Sequence, residues 1–354
     1  MRREKKENKP LITTIIPTYK RPKLLQRAIL GVLNQTYPNF QVCIYDNASN
    51  DETAEVVRKL SEKDSRVHYY CHSKNISMQK NFNFGLRMVK TPYFSFLCDD
   101  DILLPKFYEK ALNGFSKYPE AGFVVTETIV ATEKEIKEVS LREYEEKLYK
   151  PLESLIKMSK CKIPYWTSIL FRKEVIKKVG FLDENLGASA DTDFLFSSAS
   201  IFSFVVLKSP GAIFFVHQLS KSSSWSEIEP LDGYIKTLEK IKNNRKISAP
   251  IRLMVYQNRK KRIERVLWQG GLKDIKKRNF FQAKRLAKSL KEDFGRNFKG
   301  VILYNIANLC ENLDICYFIF FYLNQIRKFL KPNRNNLQKN YEAYLKYFQK
   351  YSSL

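Results

Sequence analysis

Strand-length apolar runs alternate with segments of helical period through the first half of the chain, and this alternation restricts the fold more than any other feature. Leu11–Ile16 is followed by Leu24–Leu33, Phe40–Tyr45 by Ala54–Leu60, Val67–Cys71 by Met78–Val89, and Tyr93–Leu97 by Phe107–Phe115. Repeated strand and helix pairs of this kind predict βαβ units and a mostly parallel sheet covered by helices on both faces. Gly122–Thr126 and Ser168–Phe171 read as further strands, and Phe202–Leu207 and Ala212–Val216 would close the sheet. Residues 127–165 between them are charged and helix-like with no clear strand, which predicts an insertion beside the sheet and a candidate acceptor lid. The expected fold class is α/β, a mixed, mostly parallel sheet flanked by helices and followed by a helical, basic C-terminal region.

Charge is distributed unevenly. The 354 residues carry a formal net charge of +25, and residues 231–354 hold 28 Lys and Arg against 9 acids, so most of the excess lies in the C-terminal third. A patch of this kind suits anionic lipid head groups or nucleic acid on electrostatics alone. The six cysteines lack the paired short spacings of zinc sites and read as reduced packing residues. Met1 to Pro10 forms a basic arm without the apolar stretch of a signal peptide, and Ile315–Leu323 is far short of the roughly 20 residues that a spanning helix needs. The expected arrangement is an arm over residues 1–10, a catalytic domain over 11–225 and a helical, basic region over 226–354, in a cytoplasmic protein.

Ligands of open α/β sheets bind beyond the carboxyl ends of the strands. Three polar groups follow predicted strands there: Pro17-Thr18-Tyr19, Asp46-Asn47-Ala48-Ser49 and Asp99-Asp100-Asp101. The triple aspartate concentrates carboxylate oxygens, which Mg²⁺ and Mn²⁺ favour, and an ion held there could carry a diphosphate. The same acids could instead cap a helix beginning near Leu104-Pro105. Pro17-Thr18-Tyr19 is expected to end its strand in a turn whose backbone approaches a nucleotide. Asp46 could accept the imide hydrogen of uracil or thymine, or close an Asx turn, and the two roles are compatible.

An ordered set of motifs unites these pieces: Ile15-Ile16-Pro17-Thr18-Tyr19 with Arg21-Pro22, Leu33-Asn34-Gln35-Thr36-Tyr37-Pro38, Asp46 through Thr53, Asn75 and Asn81, the triple aspartate, and Gly180-Phe181-Leu182-Asp183-Glu184 with Asp191-Thr192-Asp193. Over roughly Leu11 to Ser223 the chain resembles glycosyltransferase family 2, nucleotide-sugar enzymes of the Rossmann-like GT-A fold. The resemblance implies that Asp99 contacts ribose and Asp101 binds Mn²⁺ or Mg²⁺, with Asp100 between them. It implies that Asp191 is the catalytic base. Ala190 stands where the family commonly has an acid before that base, so Asp193 remains an alternative. His217, after the last strand, matches a histidine often found near the metal or diphosphate, and Lys80 could face the nucleotide. Ile76 departs from the glycine frequent in its loop. His68 and His72 read as structural.

The implied activity is inverting, metal-dependent transfer of a hexose-type sugar from a UDP- or dTDP-sugar to a hydroxyl of a glycan or lipid-linked acceptor, as in bacterial surface polysaccharide, lipopolysaccharide or capsule assembly. Sugar-phosphate nucleotidyl transfer is the enzymatic alternative, disfavoured because no Gly-rich triphosphate loop follows the first strand. A basic nucleic-acid-binding protein is the other, disfavoured because no Lys/Arg-aromatic recognition motif is present. Tyr341, Tyr344, Leu345 and Phe348 recur at helical spacing beside Lys339, Lys346 and Lys350, the make-up of an interfacial helix. An anionic membrane surface is therefore the expected partner, at the inner face of the cell membrane.

Overall fold

The computed structural model describes residues 10–217, 231–295, 298–313 and 334–352. Its first half follows the alternation: β1 (Ile12–Thr18), α1 (Pro22–Leu33), β2 (Phe40–Asp46), α2 (Thr53–Ser61), β3 (Val67–Cys71), α3 (Met78–Met88), β4 (Tyr93–Phe96), the short β5 (Ile102–Leu103) and α4 (Phe107–Lys117). Every residue of β1 is buried, because it lies between β2 and β4 with both faces covered. Its polar side chains are paired inside: Thr14 Oγ1 lies 2.6 Å from Ser95 Oγ and 2.5 Å from the hydroxyl of the fully buried Tyr108. The α1 face carrying Leu25, Ala28, Ile29 and Val32 packs into the same core.

The main sheet has the order β3-β2-β1-β4-β9-β6-β10-β5. Strands β1 to β4 run parallel, and Thr18 stands opposite Asp46, so their carboxyl ends share one edge. β6 (Ala121–Ala131) and β10 (Ser203–Phe215) pair in parallel, while β9 (Ile169–Arg172) runs antiparallel between β4 and β6. The sheet is thus mixed and mostly parallel.

Several boundaries differ from the sequence expectation. Thr18 and Pro17 belong to β1 itself, and the turn begins only at Tyr19. The two closing strands are one 13-residue strand, β10, whose register shifts around Pro210. β6 extends to Ala131, and residues 127–165 also contain β7 (Ile136–Val139), β8 (Leu148–Tyr149) and α5 (Pro151–Lys160). β7 pairs with β6 and β8 with β10, so this segment is woven into the sheet edge instead of lying beside it as helix. Its charged residues mask a strand of only four residues with one exposed position, Lys137. α6 (Lys173–Val179) and α7 (Ala190–Ile201) complete the region.

The chain divides into two compact units. The first holds the described parts of Met1–Glu184, Asp191–His217 and Tyr341–Leu354; the second holds those of Asn185–Ala190 and Gln218–Asn340. The second is built from α8 (Leu231–Asn243), α9 (Ala249–Lys276), α10 (Phe280–Glu292) and α11 (Phe298–Leu313) around Ile263, Leu267, Ile275, Leu286, Leu290 and Leu303. α12 (Arg334–Ser352) follows, and from Tyr341 it groups with the first unit. There its Leu345 and Phe348, expected at a lipid interface, are 7% and 0% exposed. An apolar stripe flanked by lysines reads the same whether it faces lipid or protein, and here it faces protein. Ile315–Leu323 lies outside the described residues. Among the described residues no helix is long and apolar enough to cross a membrane.

Close approach inside the first unit is held by side-chain amides. Asn83, 2% exposed on α3, donates from Nδ2 to the Leu182 carbonyl at 2.9 Å and accepts from the Leu182 amide at 2.8 Å. It thereby ties the irregular segment leading to Asp183 and Glu184 onto α3. Replacing Asn83 by Leu would leave two backbone groups without partners. Asn83→Leu is expected to lower unfolding stability by about 1–3 kcal/mol in urea titrations, and an unchanged midpoint would contradict this clamp.

Candidate active site

The acidic cluster begins where β4 ends, because the chain turns back on itself there: the Asp101 amide donates to the Cys98 carbonyl at 3.0 Å. β5 then pairs with β10, setting Ile102 opposite Ile213 and Asp101 beside Phe215. The Phe215 amide donates to Asp101 Oδ1 at 3.1 Å. Asp99 and Asp101 are 6% and 1% exposed. Buried carboxylates need compensating charge or hydrogen bonds, and α1 supplies the charge. Arg21 Nη1 lies 3.1 Å from Asp99 Oδ1 and 3.0 Å from Asp100 Oδ2, and Arg27 Nη2 donates to the Asp100 carbonyl at 2.5 Å. Thr18 Oγ1 donates to Asp99 Oδ2 at 2.8 Å, and His217 Nε2 lies 3.1 Å from Asp100 Oδ2.

Compensation is incomplete. Burial and the charge of Asp100 push Asp99 up to about 6, against the opposing pull of Arg21 and Thr18. Burial likewise drives Asp101 well above the usual carboxylate range, with Asp100 adding to it and the Phe215 amide, Thr167 and Arg27 opposing. Arg21 is held above its ordinary value, since Asp99 and Asp100 outweigh its desolvation, whereas burial lowers Arg27. The Thr167 hydroxyl is near enough to favour ionised Asp101, yet it and Asp101 Oδ2 are both buried with no partner in hydrogen-bonding geometry. Cys98 Sγ and carboxylate oxygens of Asp100 and Asp101 lie within 4.8 Å of one another. Two carboxylates and a thiol this close, one carboxylate keeping an orphaned oxygen, fit a divalent cation, for which oxygen ligands suit Mg²⁺ or Mn²⁺ and the sulfur favours a softer ion.

The remaining expected residues divide. Thr18, Asp99, Asp100, Asp101 and His217 are brought together by the bonds above. Pro17 is buried one position back along β1, and Tyr19 is 41% exposed at the strand end. Asp46 is 1% exposed with both oxygens engaged: Oδ1 accepts from the Ser49 amide at 3.1 Å and hydroxyl at 2.5 Å, and Oδ2 from the Tyr69 hydroxyl at 2.6 Å. A base would have to share or displace one of these donors. Lys80 is exposed on the first turn of α3, and no described hydrogen bond or ion pair joins its ammonium to the aspartates. Asp191 is exposed at the start of α7, with Oδ1 accepting from the Thr192 amide at 2.5 Å; the Cys98 thiol is pushed well up by burial first, then by the charges of Asp101, Asp100 and Asp99, with Asp191 adding least. Asp193 is half-buried two residues on. His72 pairs with Asn81 Oδ1 at 2.9 Å, the structural role expected of it.

Sequence reasoning assigned no role to Arg27, Cys98, Thr167, Phe215 or Tyr165. Arg27 had a signal: it is an arginine on the otherwise apolar face of α1, where a cation is kept only if it meets an anion. Tyr165, at the end of the 127–165 segment, feels the charge of Asp101 and accepts from Lys162 Nζ at 2.9 Å.

Comparison with known proteins agrees with this fold. The model of "Glycosyl transferase family 2" matches residues 13–180. The chain is 33% identical over 96 residues to a GalNAc(5)-diNAcBac-PP-undecaprenol β-1,3-glucosyltransferase of Campylobacter jejuni, covering 27% of this chain and 31% of that one. It spans 42% and 64% of the first two curated relatives that it matches. Staphylococcus aureus TarS 1–349 in complex with UDP-GlcNAc superposes with a TM-score of 0.60 at 15% identity, over 84% of this chain and 90% of that one. A mannosyltransferase of Pyrobaculum calidifontis in complex with GDP-Man and Mn²⁺ superposes with a TM-score of 0.57 at 15% identity, over 86% and 82%. At such identity the superpositions speak for the fold alone, the GT-A fold. With its ordered motifs, its sheet and its acidic cluster at the carboxyl ends of the strands, the chain matches glycosyltransferase family 2 over residues 13–180.

Proposed function

We propose that the protein is an inverting, metal-dependent glycosyltransferase that moves a sugar from a UDP- or dTDP-sugar to a hydroxyl of a glycan or lipid-linked acceptor. The observation that carries this reading is the orphaned, buried Oδ2 of Asp101 within an acidic cluster at the carboxyl edge of the sheet. Asp101 with Asp100 would hold Mn²⁺ or Mg²⁺, His217 standing against Asp100 as a further ligand. When bound, the cation supplies positive charge to the departing nucleoside diphosphate. Asp99, held by Thr18 and Arg21, would accept from a ribose hydroxyl. Asp46 and Tyr19 are assigned to the base and Lys80 to the nucleotide, on the family pattern alone. The acceptor oxygen attacks the anomeric carbon, the bond from that carbon to the diphosphate oxygen breaks with its electron pair leaving on that oxygen, and the hydroxyl proton passes to a carboxylate oxygen of Asp191. Direct displacement inverts the anomeric centre.

Support for the donor class comes from the sugar-nucleotide complexes of TarS and the Pyrobaculum enzyme, and support for a lipid-linked acceptor from the undecaprenol in the name of the Campylobacter relative. Membrane association is supported by the second unit, where Phe281, Phe298, Val301 and Tyr304 are exposed among Lys284, Arg285, Lys288 and Lys299. The protein would then work at the inner face of the cell membrane, and the same cations give no recognition motif for nucleic acid.

Thermal shift with a panel of nucleotide sugars and Mn²⁺ is expected to find one UDP- or dTDP-sugar that stabilises the parent and not Asp101→Ala; equal stabilisation of both would remove Asp101 from the metal site. Asp191→Asn should keep donor-dependent stabilisation and lose about 10²–10⁴-fold in transfer rate, and full turnover in that variant would move the base to Asp193 or elsewhere. Sedimentation with phosphatidylglycerol vesicles should show binding that falls as salt is raised and weakens several-fold in a Phe281→Ser/Phe298→Ser double variant, without comparable binding to oligonucleotides. Binding indifferent to salt and to those rings would exclude this surface.

A further inference from the structure

Phe348 lies more than a hundred residues beyond the acidic cluster in sequence and is fully buried against the residues that hold it. Its ring centroid is 4.7 Å from that of Phe215, and the Arg27 guanidinium stands 4.3 Å over Phe215 and 5.0 Å over Phe348. Arg27 thus packs against both of two touching aromatic rings, the three groups forming a near-equilateral triangle, and Phe215 also stacks on His217 at 5.0 Å with an interplanar angle of 15°. Each of these neighbours bonds directly to the cluster: the Phe215 amide to Asp101 Oδ1, Arg27 Nη2 to the Asp100 carbonyl, and His217 Nε2 to Asp100 Oδ2. The segment is fixed at three further points. The Tyr347 hydroxyl accepts from Asn34 Nδ2 at 3.0 Å, Gln349 Nε2 donates to the Glu133 carbonyl at 3.2 Å, and Tyr341 stands against Glu127 at 3.5 Å.

We propose that Phe348 is a positioning residue of the cation site: the C-terminal segment completes the wall behind Phe215 and Arg27 and so sets Asp100, Asp101 and His217 in the arrangement that binds a divalent ion. This inference rests on the reading of the cluster as a metal site. Removing the Phe348 ring opens one side of both Phe215 and Arg27 to water. A hydrated guanidinium no longer needs the Asp100 carbonyl, and an unsupported Phe215 no longer presents its amide and the following His217 at fixed positions. Burial alone would give Phe348 a role in stability; the convergence of its two neighbours on ligand residues gives it a role in affinity.

The test is Mn²⁺ titration of the full-length chain, following the free-ion electron paramagnetic resonance signal, with circular dichroism as the check on folding. Phe348→Ala is expected to weaken Mn²⁺ binding about 10–100-fold, the range found when groups that orient metal ligands are removed. Phe348→Leu, which retains apolar bulk but not the planar ring against Arg27 and Phe215, should recover part of the affinity and stay measurably below the parent. Tyr347→Phe, which removes only the hydroxyl that anchors the segment to Asn34, should bind as the parent does. Parental Mn²⁺ affinity in Phe348→Ala, alongside its loss in Asp101→Ala, would overturn the positioning role and leave the metal site standing. Parental affinity in Asp101→Ala, or no Mn²⁺ bound by the parent, would overturn the metal site itself. Should Phe348→Ala prove unfolded, Phe348→Leu decides: affinity lowered in the folded variant supports the role, and affinity equal to that of Tyr347→Phe and the parent, with only the melting temperature reduced, refutes it.

Discussion

Three consecutive carboxyl groups at the end of a central strand, two of them almost wholly removed from water, set the terms for the rest of the catalytic unit. Charges of like sign that are also desolvated repel strongly and lose hydration together. Arg21 bridges Asp99 and Asp100, Arg27 reaches the Asp100 carbonyl, and the Phe215 amide takes one oxygen of Asp101. Even so, one oxygen of Asp101 has no hydrogen-bond partner, and Asp99 and Asp101 both hold protons more tightly than ordinary carboxyls do. The unmet demand of the cluster for positive charge is the physical basis for reading it as a cation site.

That demand explains features which otherwise look like exceptions. α1 is an apolar helix packed in the core, yet it buries an arginine, and it does so on the side that meets the acids. β10 runs unusually far, 13 residues, and its end delivers both the amide of Phe215 and the imidazole of His217 to the cluster. Thr167, on the short helical turn before β9, adds a hydroxyl from a third direction. The groups around the acidic cluster thus come from β1, α1, the turn before β9 and the end of β10, and Phe348 brings in a fifth stretch. Rigid placement follows from packing, since buried rings and a buried guanidinium have few alternative positions.

Much of this was legible from residue order. Apart from the two-residue β5, which no run announced, the strands and helices up to α4 fall within a residue or two of the periodic runs, because each run is bounded by a turn and buried on a predictable face. The site was legible in its first member, since a polar triplet after an apolar strand lies at the carboxyl edge wherever the sheet is parallel. Legibility failed where local pattern is degenerate. β7 and β8 are too short and too charged to show alternation, and they exist because β6 and β10 offer them edges. Asp46 reads as a ligand residue and as the head of an Asx turn, and its contact with Ser49 is local, but its second partner, Tyr69, lies 23 positions away on the adjacent strand, beyond any local pattern. The stripe of Leu345 and Phe348 is equally suited to lipid and to protein, so no local pattern could have chosen between them.

Sequence by itself determined the layered architecture, the parallel order of the first strands and the position of the acidic cluster at their carboxyl ends, because periodicity and turn residues act over a few neighbours. Only the tertiary structure decided which charges meet those acids, which oxygen stays unpaired and which ring closes the wall behind them. These depend on contacts between segments up to some three hundred residues apart, and the energy of a buried charge is set by what surrounds it in space.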